Sequence, residues 1–194
     1  MARADLDHHR AQQRLQQLTR AAVNALLLRI TLDRSEQVRD AYALQNSRLI
    51  AGGQHQAVMF AFAYIAAYAA PQTPPEPARA LDGRLVTPET PSALVGLLRL
   101  WALLDQDTPE FEARQAAGSY AGGLASGDVL SAQRGGLDEA ARVSGRRVRW
   151  RKQLSPDACE WCRTIAAGGA RYHAADTVPF HLRDRCTVAP EFTQ

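Results

Sequence analysis

Aromatic residues are scarce, at 7% of a 194-residue chain, while Ala and Leu are abundant. That mix favours helices over sheets. A strong charge of either sign is also missing: the net charge is +3 and the sequence pI is about 9.0. The chain is therefore no dedicated nucleic-acid coat, although contact with DNA is permitted. No long hydrophobic run is present. The most apolar stretch, Ala57 to Ala70, is too short to span a bilayer and suits a buried helix, so no membrane association is expected. The first 20 residues are polar and lack an apolar signal core, which leads us to expect synthesis and retention in a cytosol. Three cysteines, an odd number crowded near the C-terminus, argue against a secreted disulfide framework. There is no HExxH, no Walker loop and no GxGxxG, and the serines lie in no nucleophile-elbow context. No enzyme is expected.

With 46% hydrophobic and 22% charged residues, the chain reads as globular and mainly α. Asp7 to Thr31 carries Leu15, Leu18, Ala22, Leu26 and Ile30 three or four apart, which predicts one apolar helical face turned inward. His8 and His9 lie in the polar part of this helix and are expected at the surface. A second helical run opens at Ser35, pauses at Gly52-Gly53 in a kink or break, and resumes to Ala70. Residues 71–91 hold six prolines and predict a linker running extended over the surface. Thr90-Pro91 opens the helix that contains Ala93 to Leu104. Thr108-Pro109 opens another, with Thr at the cap and Pro at the first helical position. The small residues of Ala116 to Gly127 predict either close packing against a neighbour or an adaptable interface. Gly135-Gly136 predicts a further break before a short amphipathic helix, Leu137 to Val143. The helical body thus covers residues 1–143.

The character changes at Ser144, and residues 144–194 read as a small α+β Cys/His module. Residues 145–152 alternate in period two and predict one strand. The remainder of the tail is loop-rich, without helical periodicity. It holds Cys159-x2-Cys162, a spacer of 18 residues (163–180), then His181-x4-Cys186. Cys159, Cys162, His181 and Cys186 offer three thiolates and one imidazole, the donor set of structural zinc. His173 is a rival to His181, and Asp184 offers an oxygen. Two other readings stand beside the metal. One is a redox pair, which usually needs a βαβ setting not visible here. The other is ordinary buried thiols. A module with so little apolar content needs a staple, and a metal supplies one. A zinc ion ligated by protein alone leaves no place for water, which argues against hydrolysis.

From Arg142 to Lys152 there are six Arg or Lys and no acid: Arg142, Arg146, Arg147, Arg149, Arg151 and Lys152. They form either a solvated strand face or a contact for DNA or an acidic partner. Trp150, among them, either stacks on a base or belongs to the core.

Taken together, RRVRWRK, SPDACEWC and RYHAADTVPFHLRDRCTVAPEF resemble the C-terminal region of MuF-like minor head proteins of tailed phages, of the actinobacteriophage type. Those carry an arginine-rich strand, a C-x2-C, and an aromatic-His segment ending in C-x-C and Pro. His181 and Cys186 fall on the family's His and last Cys. Asp184 stands where the family usually has another Cys. The resemblance covers about residues 145 to 192 and extends more loosely to the helical body. It implies a structural head-morphogenesis protein of the virion, made in the bacterial host cytoplasm. Its implied partners are the portal or the major capsid protein, with packaged DNA as a further candidate, and it would be oligomeric only in the assembled head. Some relatives are labelled head maturation proteases, an activity for which this chain offers no site.

Overall fold

The computed structural model describes residues 3–181 and 186–193. In chain order it contains α1 (Arg3–Arg29), α2 (Glu36–Ala66), α3 (Pro77–Ala80), α4 (Pro91–Leu104), α5 (Glu110–Val143), β1 (Arg147–Gln153), α6 (Glu160–Ala167), a 3-10 turn (Ala175–Thr177) and β2 (Thr187–Thr193). The architecture is mainly helical, with one two-stranded antiparallel sheet.

The 34 residues of α5 form the axis against which α1, α2, α3, α4 and the 3-10 turn all pack. Neither glycine pair interrupts its helix, contrary to expectation, because each supplies a close approach. A Cβ on Gly136 would lie 2.9 Å from Ala61 Cβ and 3.0 Å from Val58 Cα, so α5 touches the backbone of α2 there. A Cβ on Gly53 would meet Thr19 Oγ1 at 2.7 Å and Val129 Cγ2 at 2.9 Å, where α1, α2 and α5 converge. Each helical glycine costs about 1 kcal/mol in propensity, which this packing offsets. Of the small residues of 116–127, Ala117, Gly118, Ala121, Gly122, Gly123, Ala125 and Ser126 are likewise buried, whereas Ala116 and Ser119 are exposed and Gly127 borders open space.

Helix starts obey local chemistry. Ser35 Oγ accepts from Val38 N–H at 3.3 Å and caps α2. Thr90 stands at the N-cap position of α4 with Pro91 behind it, its hydroxyl accepting from the Thr87 N–H rather than from the helix. α5 begins one residue later than expected, with Pro109 itself in the extended cap position. The linker 71–91 does not run extended over the surface. It forms α3 and buries Ala80, Leu81 and Val86. Gln54, fully buried, donates to Arg84 O (2.6 Å) and accepts from Val86 N–H (2.9 Å), satisfying linker backbone that would otherwise require water.

The first helix differs most from its sequence pattern. Leu18, expected inward, is 59% exposed. The buried stripe is instead Asp5, His8, His9, Gln12, Gln16 and Thr19, turning apolar only at Val23 and Leu27. His8 and His9 are therefore interior residues. For His8 the reason is a set of polar partners across the interface. Gln133 Nε2 donates to His8 Nε2 (2.6 Å) and to Gln12 Oε1 (2.9 Å). The His8 ring stacks on Tyr64 with centroids 3.9 Å apart, and Tyr64 donates to Asp5 at 2.7 Å.

The two larger core clusters among the described residues follow from this packing. One joins Val23, Leu27, Tyr42, Ile50, Leu97 and Leu100 with the Ala face of α5. The other joins Val58, Ile65 and Leu137 to Trp150, Ala175, Val178 and Val188, so residues on both sides of position 144 share it. The tail is not all loop after its strand, since α6 and the 3-10 turn lie within it.

Burial, then the nearby His9, lower the pKa of His8 to about 4, against the opposing pull of Asp5. The unfolded value is higher, so the unfolded chain binds more protons between the two. Stability from neutral His8 is full above about pH 6.5 and is lost as pH falls towards 4, by roughly 3 kcal/mol at most. Asp138 and Asp128, both raised by burial, act in the opposite sense. Comparison with His8→Asn isolates the histidine: urea unfolding of the native chain should lose more stability between pH 7 and 4.5 than the variant does. Equal slopes would show that His8 carries no such linkage.

Candidate metal centre

β1 delivers the chain to the site, and its pleat sorts the basic run into two sets. Alternate side chains point to opposite faces. Trp150, 1% exposed, enters the core beside Val188, and its backbone exchanges two 2.9 Å hydrogen bonds with Tyr172. Lys152 is also buried, at 5% exposure, and donates to Pro179 O at 2.7 Å. These two were candidates for DNA or partner contact, and the structure places both inside. Arg147, Arg149 and Arg151 take the opposite face. Arg149 meets His173 at 2.6 Å, and Arg151 pairs with Glu191 at 3.2 Å. Arg171 joins the same Glu191. Arg146 is exposed, and Arg142 pairs with Glu139 through bonds of 2.7 and 2.6 Å.

Beyond β1, a turn (Ala158 N–H to Ser155 O, 3.1 Å) leads into α6. Cys159 is its N-cap, and Cys162 lies in its first turn. The first amides of a helix have no partner inside it, and here the Cys162 N–H faces the Cys159 sulfur. That donor, with the Cys162 and His181 side chains behind it, holds the Cys159 thiol below its ordinary range. A thiolate is the metal-binding form.

The 163–180 segment returns His181 to the same place. Its Nε2 lies 3.2 Å from Cys159 Sγ and 3.3 Å from Cys162 Sγ. All three donor atoms fall within 4.8 Å of one another. Ligands on a tetrahedral zinc ion sit about 3.6 Å apart, given Zn–S near 2.3 Å and Zn–N near 2.0 Å, so this trio can hold a metal ion. Cys186 is not in the trio. It is buried with Cys162 and Ala158 in one small cluster, its Sγ 3.8 Å from Ser155 Oγ. His173 stands at Arg149, away from the trio, and Asp184 lies outside the described residues. No disulfide joins the three cysteines, and their setting among the described residues is a two-stranded antiparallel sheet with no βαβ unit.

Two residues that sequence reasoning passed over support this loop. Asp138 of α5 accepts from the Ala175 N–H (2.6 Å) and the Asp176 N–H (3.3 Å), and burial pushes its carboxyl up to about 6. Arg134, four residues earlier, is almost wholly buried. The sequence signal for them was a charged pair one turn apart on a helix otherwise made of small residues.

A mainly helical protein with a C-terminal Cys/His cluster able to hold a metal ion is the class these features define. The whole chain, residues 1–194, matches the family model described as VG15 protein, and the chain belongs to that family of phage proteins. No curated protein and no solved structure matches it. No helix among the described residues is long and apolar enough to cross a membrane.

Cys159 is exposed and its thiol is held below the ordinary range, whereas Cys162 and Cys186 are each 1% exposed. In chelator-treated folded protein, iodoacetamide should therefore modify Cys159 first, by roughly tenfold or more in rate. Peptide mapping at short times reads this directly, and uniform labelling of all three thiols while amide exchange in α6 stays slow would contradict the burial described.

Proposed function

We propose that the chain is a structural, non-catalytic minor head protein of a tailed phage, of the MuF-like kind, which associates with the portal or the capsid interior. Cys159, Cys162, His181 and Cys186 bind one structural zinc ion in it. The observation that carries this reading is the return of His181 to the Cys159–Cys162 pair across residues 163–180. Membership of a phage family over the full chain and the MuF-like order of strand, cysteines and histidine support the same reading.

The zinc acts as a staple. Cys159 and Cys162 hold it from α6 and His181 from the returning loop, and Cys186, just before β2 and outside the trio here, completes the set by moving in from beside Cys162. Binding free energy of such a site is folding free energy for the segment it joins. A site filled by four protein donors has no position for a reacting water, in keeping with a structural role.

A second reading has its own observation. Arg147, Arg149 and Arg151 line one face of β1, with Arg171 and His173 beside them and Glu191 among them. Such a row suits phosphate contact without base reading.

Elemental mass spectrometry of the native chain should give about one zinc per molecule, lost in both Cys159→Ser and His181→Ala. Cross-linking of purified heads, read by mass spectrometry, should join the chain to the portal or the major capsid protein. A folded chain without metal would remove the staple. Absence of the chain from purified heads would overturn the head assignment. DNA binding that weakens steeply with salt, without cross-links to head proteins, would favour the second reading.

A further inference from the structure

The loop that carries His181 is gripped by two buried cations that come from other parts of the fold. Arg134 rises from the middle of α5 and is 1% exposed. Its Nη1 donates to Val178 O at 2.6 Å, and its guanidinium carbon sits 4.3 Å from the centroid of the Phe180 ring. Lys152, in β1, donates from Nζ to Pro179 O at 2.7 Å. The same ammonium lies 5.2 Å over the ring of Trp161, and that ring meets the His181 ring edge-on at 5.3 Å. Three consecutive residues, Val178, Pro179 and Phe180, are thus fixed immediately before the histidine.

Burying a cation is costly unless it is paired or hydrogen-bonded. A buried apolar side chain of similar volume would serve plain packing as well or better. What a guanidinium and an ammonium add is direction: each holds a carbonyl in a fixed position and a ring in a fixed plane. Asp138, one turn beyond Arg134, pins the other end of the segment at Ala175 and Asp176. The segment leading to His181 is therefore suspended from α5 at two points and from β1 at a third.

We propose that Arg134 and Lys152 are positioning residues that aim His181 at the Cys159–Cys162 pair, so that the central helix sets the affinity of the metal site. The proposal rests on the metal reading above. Neither cation touches the ion. They act through the carbonyls of 178 and 179 and the rings of Phe180 and Trp161. Partners that orient a metal-binding histidine typically change affinity 10- to 100-fold when removed.

The test uses the full chain and Arg134→Met, Lys152→Met, Arg134→Lys and Arg84→Met. The last removes an ion pair to Asp176 in the same segment but touches neither 178–180 nor His181, and serves as the control. Zinc affinity is measured by competition with a chelator, and cobalt(II) absorption reports the donor set. Arg134→Met and Lys152→Met should each weaken zinc by roughly 10- to 100-fold. Their cobalt spectra should shift towards that of His181→Ala, while the far-ultraviolet dichroism stays native. Arg134→Lys should recover part of the loss, and Arg84→Met should change little. A folded Arg134→Met with native zinc affinity and cobalt spectrum would overturn the proposal. So would weakened zinc with an unaltered cobalt spectrum, which marks general destabilisation. If the native chain takes up no metal, the metal reading fails by itself. Amide exchange at Val178, Phe180 and His181 then judges the clamp: faster exchange in Arg134→Met supports it, and unchanged exchange overturns it.

Discussion

The close approach of α5 to α2 at Gly136 and Gly53 is the constraint on which the other contacts depend. At Gly136 α5 meets the backbone of α2, and at Gly53 the side chains of Thr19 and Val129 fill the place of a Cβ, so neither helix can shift without opening a void or a clash. That contact fixes the axis of α5. The axis in turn decides where Gln133 meets α1, where Arg134 and Asp138 reach the tail, and where Leu137 enters the shared core. Residues 133, 134, 137 and 138 fall within little more than one turn. A rotation of α5 by one residue would send all four to the wrong neighbours.

Much of this was legible in the sequence, and the failures have physical causes. The Cys159–Cys162–His181 grouping was legible from donor type and spacing, while helix content, the Ser35 cap, the Thr90-Pro91 helix start and the strand at β1 arise from local patterns. Local chemistry decides such features without reference to the rest of the chain. Glycine pairs misled because their local meaning, a break, is overridden when the missing Cβ admits a neighbouring helix. The inward face of α1 misled for a related reason. Apolar periodicity marks the buried side only if the partner surface is apolar, and Gln133, Ser126 and Tyr64 make it polar here. Buried Gln54 could not be foreseen from residues 71–91 either, because its acceptor and donor lie 30 and 32 residues along the chain.

The basic run shows how one sequence feature separates into different physical roles. Six cations in 11 residues read as a single patch. The pleat of β1 sends Lys152 inward and Arg149 and Arg151 outward, and the end of α5 keeps Arg142 for Glu139. The outward set partly discharges against Glu191, which meets both Arg151 and Arg171. Exposed pairs of this kind contribute at most about 1 kcal/mol each, so the outer row owes little to folding. The inward cation has the opposite character, being fixed by a carbonyl and a ring.

Joining the tail to the body through charged side chains has a consequence that an apolar joint would lack. Hydrophobic contacts are non-directional and tolerate sliding, whereas the bonds from Arg134, Asp138 and Lys152 each specify one acceptor or donor in the segment 175–179. The apolar contacts of Trp150, Val178 and Val188 supply adhesion between tail and body. The polar bonds supply alignment. A histidine that must meet two sulfurs needs alignment more than adhesion, because a shift of about 1 Å is enough to spoil metal geometry. The division of labour between the two kinds of contact therefore matches the demand that the Cys/His cluster places on its support.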